Sequence, residues 1–135
     1  MVTGRLVEHG GLVGNFKDLN VWNEAYALTL DVYKVTQKFP REEMSGLTSQ
    51  MRRASSSIGA NLAEGCGRKS DTELRRFVHL AMGSASELEH HLLLAKDLDL
   101  LGQVDFERLA QSLGRVAKML KMLSVRIKGK GSSYA

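Results

Sequence analysis

Gly65 to Ser70, GCGRKS, carries the glycines, lysine and hydroxyl of a phosphate loop. The nucleotide-binding pattern needs a glycine directly before the lysine and a strand before the loop, whereas Arg68 fills the glycine's place, so nucleotide hydrolysis is not expected. A simpler chemistry survives. Arg68 and Lys69 precede the start of a helix, where free backbone N–H groups and the helix dipole favour phosphate, and Arg75 and Arg76 follow one turn later. The alternative is that these four are solvated or register-setting charges.

Glu87 with His90 and His91 resembles half of a di-iron element, in which a carboxylate and an imidazole share one helix face. Such centres need a second copy of the element and two further glutamates, so we expect no metal site and read both histidines as surface or interface residues. Cys66 is the only cysteine, which rules out an intrachain disulfide and fits a reducing cytoplasm. Neither Cys66 nor the serines at 55 to 57 show a histidine and acid arranged to activate them, so we expect neither an enzyme nor a cofactor.

The charge pattern is more informative than these fragments. Net charge is +4, but from Arg108 onward the chain carries Arg115, Lys118, Lys121, Arg126, Lys128 and Lys130 without a single acid. An acid-free basic run of this kind fits a polyanion or an acidic protein surface, and equally a solvated helix face with a soluble tail. No apolar run approaches membrane-spanning length and the N-terminus lacks a signal-peptide core, so no membrane partner is expected.

Any site must be positioned by helices, because Pro40 is the only proline and apolar residues recur three and four apart along most of the chain. Residues 1–15, with four glycines and no sustained period, read as a flexible leader. A first helix is expected from an Asp18 N-cap to Phe39, with Val21, Ala25, Leu28, Val32 and Val35 inward and Trp22, Tyr26 and Tyr33 widening the stripe. A second runs from about Met44 to Glu64 on Leu47, Met51, Ala54, Ile58 and Leu62. Its other faces carry short residues (Ser49, Ser55, Ser56, Gly59, Ala60, Ala63), as though neighbouring helices enclose it.

Gly65 and Gly67 are expected to supply positive φ at its end, and Ser70 with Glu73 forms a capping box for the third helix. That helix presents Leu74, Phe77, Ala81, Leu88, Leu92, Ala95 and Leu98 inward, and the chain turns near Gly102. A fourth helix has the most regular stripe: Phe106, Leu109, Leu113, Val116, Leu120, Leu123 and Ile127. The domain is therefore all-α, an antiparallel up-down-up-down four-helix bundle over 16–128 with a disordered tail at 129–135. Across the second-to-third hairpin the register brings Glu64 to Arg76 and Arg53 to Glu87, which we expect to be partly buried ion pairs.

The string GLTSQMRRASSSIGANLAEGCGR, Gly46 to Arg68, followed by Phe77, Gly83, Ser84 and Glu87, resembles the signature of the four-helix bundle proteins named for intervening sequences of 23S rRNA genes. Trp22, Tyr33, Phe39 and Pro40 match as well, so the resemblance covers roughly Phe16 to Ile127. Gly59 departs from it, since the family commonly has proline there. The family's relatives include accessory variability proteins of diversity-generating retroelements, and the resemblance implies a basic, ring-like homopentamer that binds nucleic acid and a reverse transcriptase.

Together these readings imply a non-enzymatic, cytoplasmic oligomer that binds RNA or DNA through backbone phosphates. The expected contacts are Arg68, Lys69, Arg75, Arg108, Arg115, Lys118, Lys121, Arg126 and Lys128. The competing expectation is a scaffold whose basic face holds a protein partner such as a nucleic-acid enzyme.

Overall fold

The computed structural model describes residues 14–127, and the leader before Gly14 and the residues from Lys128 onward lie outside the described part. Four helices account for most of it: α1 (Asn20–Thr36), α2 (Leu47–Cys66), α3 (Asp71–Asp97) and α4 (Gln103–Arg126), with no strand among the described residues. Each apolar stripe becomes a buried face. Val21, Ala25, Leu28, Val32 and Val35 of α1 meet Met51, Ala54, Ile58 and Leu62 of α2, Leu74, Ala81, Leu88 and Leu92 of α3, and Leu109, Val116 and Leu120 of α4 in one core. Each Val, Leu, Ile or Met among them contributes about 1.5–3 kcal/mol when fully removed from water, which outweighs the small differences in helix propensity along the chain.

Helix ends differ from the sequence expectation in instructive ways. Asp18 does not cap α1: it closes a short 3-10 turn, Phe16–Asp18, whose cap is Asn15, and α1 begins after Leu19 without a side-chain cap. The start of α2 is displaced from Met44 to Leu47 because Arg41–Glu43 forms a separate 3-10 turn after Pro40. From that turn the Glu43 carboxylate accepts the Leu47 N–H at 3.1 Å, satisfying one of the free donors at the α2 start.

Gly67 takes φ −86°, so the end of α2 does not use the left-handed region. Gly65 serves close packing instead: a Cβ there would lie 2.9 Å from the Cβ of Phe77. The capping box is half made. Ser70 Oγ accepts the Glu73 N–H at 3.1 Å, while the Glu73 carboxylate turns to Arg76 at 3.5 Å. A left-handed residue does appear after α3, where Asp99 (φ 62°) lets Leu100 N–H reach back to the Ala95 carbonyl at 2.9 Å. Leu98, expected inward, is left exposed there.

α2 packs against α1 and α3, and α4 against α1 and α3. Thr29 donates to the Ser55 carbonyl at 3.0 Å, Ser57 and Ser84 share a hydrogen bond of 2.7 Å, and His79 bonds Ser124 at 2.9 Å. Ser55 is buried, but Ser56 and Ala60 are exposed, so the short-residue faces of α2 are only partly covered within one chain.

Candidate nucleic-acid interface

The predicted cations fall into two groups, those held by acids and those left free. Arg108 belongs to the first: Nε and Nη2 donate to Asp31 at 2.9 and 2.8 Å while Nη1 donates to Asp105 at 2.7 Å. These bonds, Asp31's first and Asp105's second, raise an already basic guanidinium further. Arg115 lies 3.6 Å from Glu24, and Lys38 lies 3.9 Å from Asp105. Along this α1–α4 seam the index falls on one helix as it rises on the other. Arg108 is therefore a structural tie, and Arg115 is partly committed.

The seam was missed in the sequence, although a signal was present. Glu24 and Asp31 are one heptad apart, as are Arg108 and Arg115, which is the spacing two facing helices need for repeated pairing. The hairpin pairs that were expected do not form. Glu64 bonds Arg68 at 2.7 Å on its own helix, Arg76 goes to Glu73, and all four side chains are substantially exposed. Arg53 and Glu87 do line one cavity of about 350 Å³ with Tyr33, Arg52, Ser56 and Ser57. No ion pair closes between them, and Glu87 instead meets His91 Nε2 at 3.4 Å. The register was placed correctly, but long side chains on exposed faces find partners one turn away more cheaply than across a hairpin.

His90 is exposed, as expected, but His91 is buried. Among the described residues no group of three His, Cys, Asp or Glu side chains is placed to hold a metal ion. Cys66 is half-buried, and burial pushes its thiol up to about 11.

The free cations gather at one end. Lys118, Lys121 and Arg126, on the C-terminal half of α4, are exposed, and none has a carboxylate within 4.0 Å among the described residues. The His79–Ser124 bond fixes α3 beside them, and one turn before His79 stands Arg75, whose buried Nε has no hydrogen-bond partner. The α2–α3 turn completes this end. Arg68 and Arg76 lie over the Phe77 ring, at 4.9 and 4.7 Å from its centroid, while Lys69 is exposed and unpaired among the described residues. Both guanidiniums are also paired, Arg68 with Glu64 and Arg76 with Glu73, so this turn leaves Lys69 as its one unpaired cation among the described residues. Lys128 lies outside the described residues.

Lys69, Lys118, Lys121 and Arg126 are thus exposed and unpaired among the described residues, with Asp71 and Glu73 in the first turn of α3 at the same end. The sequence model of the family described as 23S rRNA-intervening sequence protein matches residues 17–122, so the chain belongs to that family. The fold is similar to a crystal structure of a protein with unknown function from the S23 ribosomal protein family of Bacteroides thetaiotaomicron VPI-5482, with TM-score 0.73 and 19% identity over 78% of this chain and 95% of that one. Comparison with curated proteins found no match.

Proposed function

We propose that the chain is a non-enzymatic, oligomeric nucleic-acid-binding bundle that contacts RNA or DNA phosphates through the basic end formed by Arg75, Lys118, Lys121, Arg126 and Lys69. The observation that carries this reading is the division of the cations: acids neutralise Arg108 at one end of α4, whereas Lys118, Lys121 and Arg126 are unpaired. Lysine and arginine contacts to phosphate position a protein without reading bases, so binding is weakly sequence-specific. The descending residue pairs across the helices support an antiparallel up-down-up-down arrangement. Exposed Tyr26, Leu30, Ser56 and Ala60 support self-association into a ring, and the family resemblance supports five copies.

No helix of the described residues is long and apolar enough to cross a membrane, and we place the protein in the cytoplasm, where its lone thiol stays reduced. Fluorescence anisotropy with a labelled single-stranded RNA and a DNA duplex, at low and moderate salt, tests the function. Affinity that falls steeply with salt is expected, since each phosphate neutralised adds roughly 0.7–0.9 to the log–log slope. Absence of binding at low salt, or binding indifferent to salt, contradicts the reading and leaves the protein-scaffold alternative, which a nuclease-resistant pull-down then supports.

A further inference from the structure

Three helices border the cavity of about 350 Å³ whose lining includes Tyr33 of α1, Arg52, Arg53, Ser56 and Ser57 of α2, and Glu87 of α3. None of these residues belongs to the basic end. α2 sends its two arginines to opposite walls. Arg52 turns to α1, where Nε donates to Thr36 Oγ1 at 2.9 Å, Nη2 donates to the Tyr33 carbonyl at 3.3 Å, and the guanidinium lies 4.6 Å from the centroid of the Tyr33 ring. Thr36 is buried and itself donates to the Val32 carbonyl at 2.7 Å, so this wall is held in place. Neither Arg52 bond uses Nη1. The opposite wall is tied by the 2.7 Å bond between Ser57 and Ser84, and the short side chain of Ser56, one turn beyond both arginines, leaves the space between the walls open.

Two cations and one anion line this cavity without neutralising one another. Arg53 is exposed and has no carboxylate within 4.0 Å among the described residues, and Arg52 has none either. Glu87, on the far wall, lies 3.4 Å from His91 Nε2. Guanidinium N–H groups match carboxylates in geometry and charge, and a carboxylate such as Glu87 accepts from an ammonium. A ligand complementary to all three groups therefore carries two carboxylates and one ammonium. Its single excess negative charge offsets the single excess positive charge of the lining.

We propose that this cavity binds an acidic amino acid of the aspartate or glutamate class, its two carboxylates held by Arg52 and Arg53 and its ammonium by Glu87. The volume lies within the range of roughly 300–1,000 Å³ common to small-molecule sites. Arg53 and Glu87 are exposed, so the site is open to water and binding is weak and rapidly reversible.

An amide-resolved NMR titration of the full chain with L-glutamate and L-aspartate tests this, at physiological salt so that loose attraction to the net positive charge is screened. At least one of the two is expected to give saturable shifts confined to the amides around Arg53, Ser57 and Glu87. N-acetyl-L-glutamate, which lacks the ammonium, and L-glutamine, which lacks one carboxylate, are expected to bind at least about tenfold more weakly, the loss a charge-assisted hydrogen bond brings. Glu87→Gln and Arg53→Gln alter exposed side chains and leave the melting temperature near wild type. Glu87→Gln removes the preference for L-glutamate over N-acetyl-L-glutamate, whereas Arg53→Gln weakens both and keeps the preference. Absence of saturable shifts with both amino acids overturns the proposal. Equal binding of N-acetyl-L-glutamate also overturns it, by showing a plain anion site, as does a preference that survives in Glu87→Gln.

Discussion

Arg108 is where sequence and structure diverge most at the scale of a residue. Counted in the basic run it is one cation among many, but its fork is filled by two carboxylates from different helices, which takes it out of the phosphate-binding set. The planar guanidinium grips Asp31 through two parallel bonds while its third nitrogen reaches Asp105, a fork geometry that a point-like ammonium does not reproduce. Because the group is 45% exposed, the effect is modest. Arg108→Ala is expected to lower unfolding free energy by about 1 kcal/mol in urea denaturation, with Arg108→Lys recovering less than half, while nucleic-acid affinity stays unchanged.

Cys66 gives a pH prediction. Its thiol is raised from an ordinary 9.0 to about 11, so near neutrality it is protonated in both the folded and unfolded chain and contributes no pH dependence. As pH climbs past the ordinary value the unfolded thiol ionises first, and stability falls between about 9 and 11. The same shift cuts the thiolate fraction roughly a hundredfold at mildly alkaline pH. Cys66 should therefore react with a thiol reagent far more slowly in the native protein than in urea, and equal rates would contradict its burial.

At the scale of the helix, the stripes were legible because burial has a period, and nearly every inward residue assigned from spacing is buried. What spacing could not show is what each glycine does. Gly65 looked like a helix terminator and proves to be a contact point with Phe77 and Leu74, whereas Gly83 on α3 has nothing within 4 Å of its absent Cβ. Gly65→Ala should destabilise by about 1–3 kcal/mol through overpacking. Gly83→Ala should stabilise by about 0.5–1 kcal/mol through lower chain entropy. Thermal melts of the two variants distinguish these roles, and a shift of the same sign in both would contradict the packing described.

For the whole molecule, the sequence carried the four helices and the existence of a basic region, but not which cations are free. That depends on α1 meeting α4, a long-range contact that brings Glu24 and Asp31 to Arg115 and Arg108. Pairing Arg108 and Arg115 in this way leaves the uncompensated charge of α4 on its last turns, beside Arg75 and His79.

The most direct test compares two charge reversals of equal size, Lys118→Glu at the basic end and Arg41→Glu in the 3-10 turn before α2, by RNA anisotropy across a salt series. Lys118→Glu is expected to weaken binding at low salt at least tenfold and to reduce the log–log salt slope by about one, while Arg41→Glu leaves both near wild type. Equal losses in the two variants would show that net charge alone draws the nucleic acid and would contradict a site at the basic end.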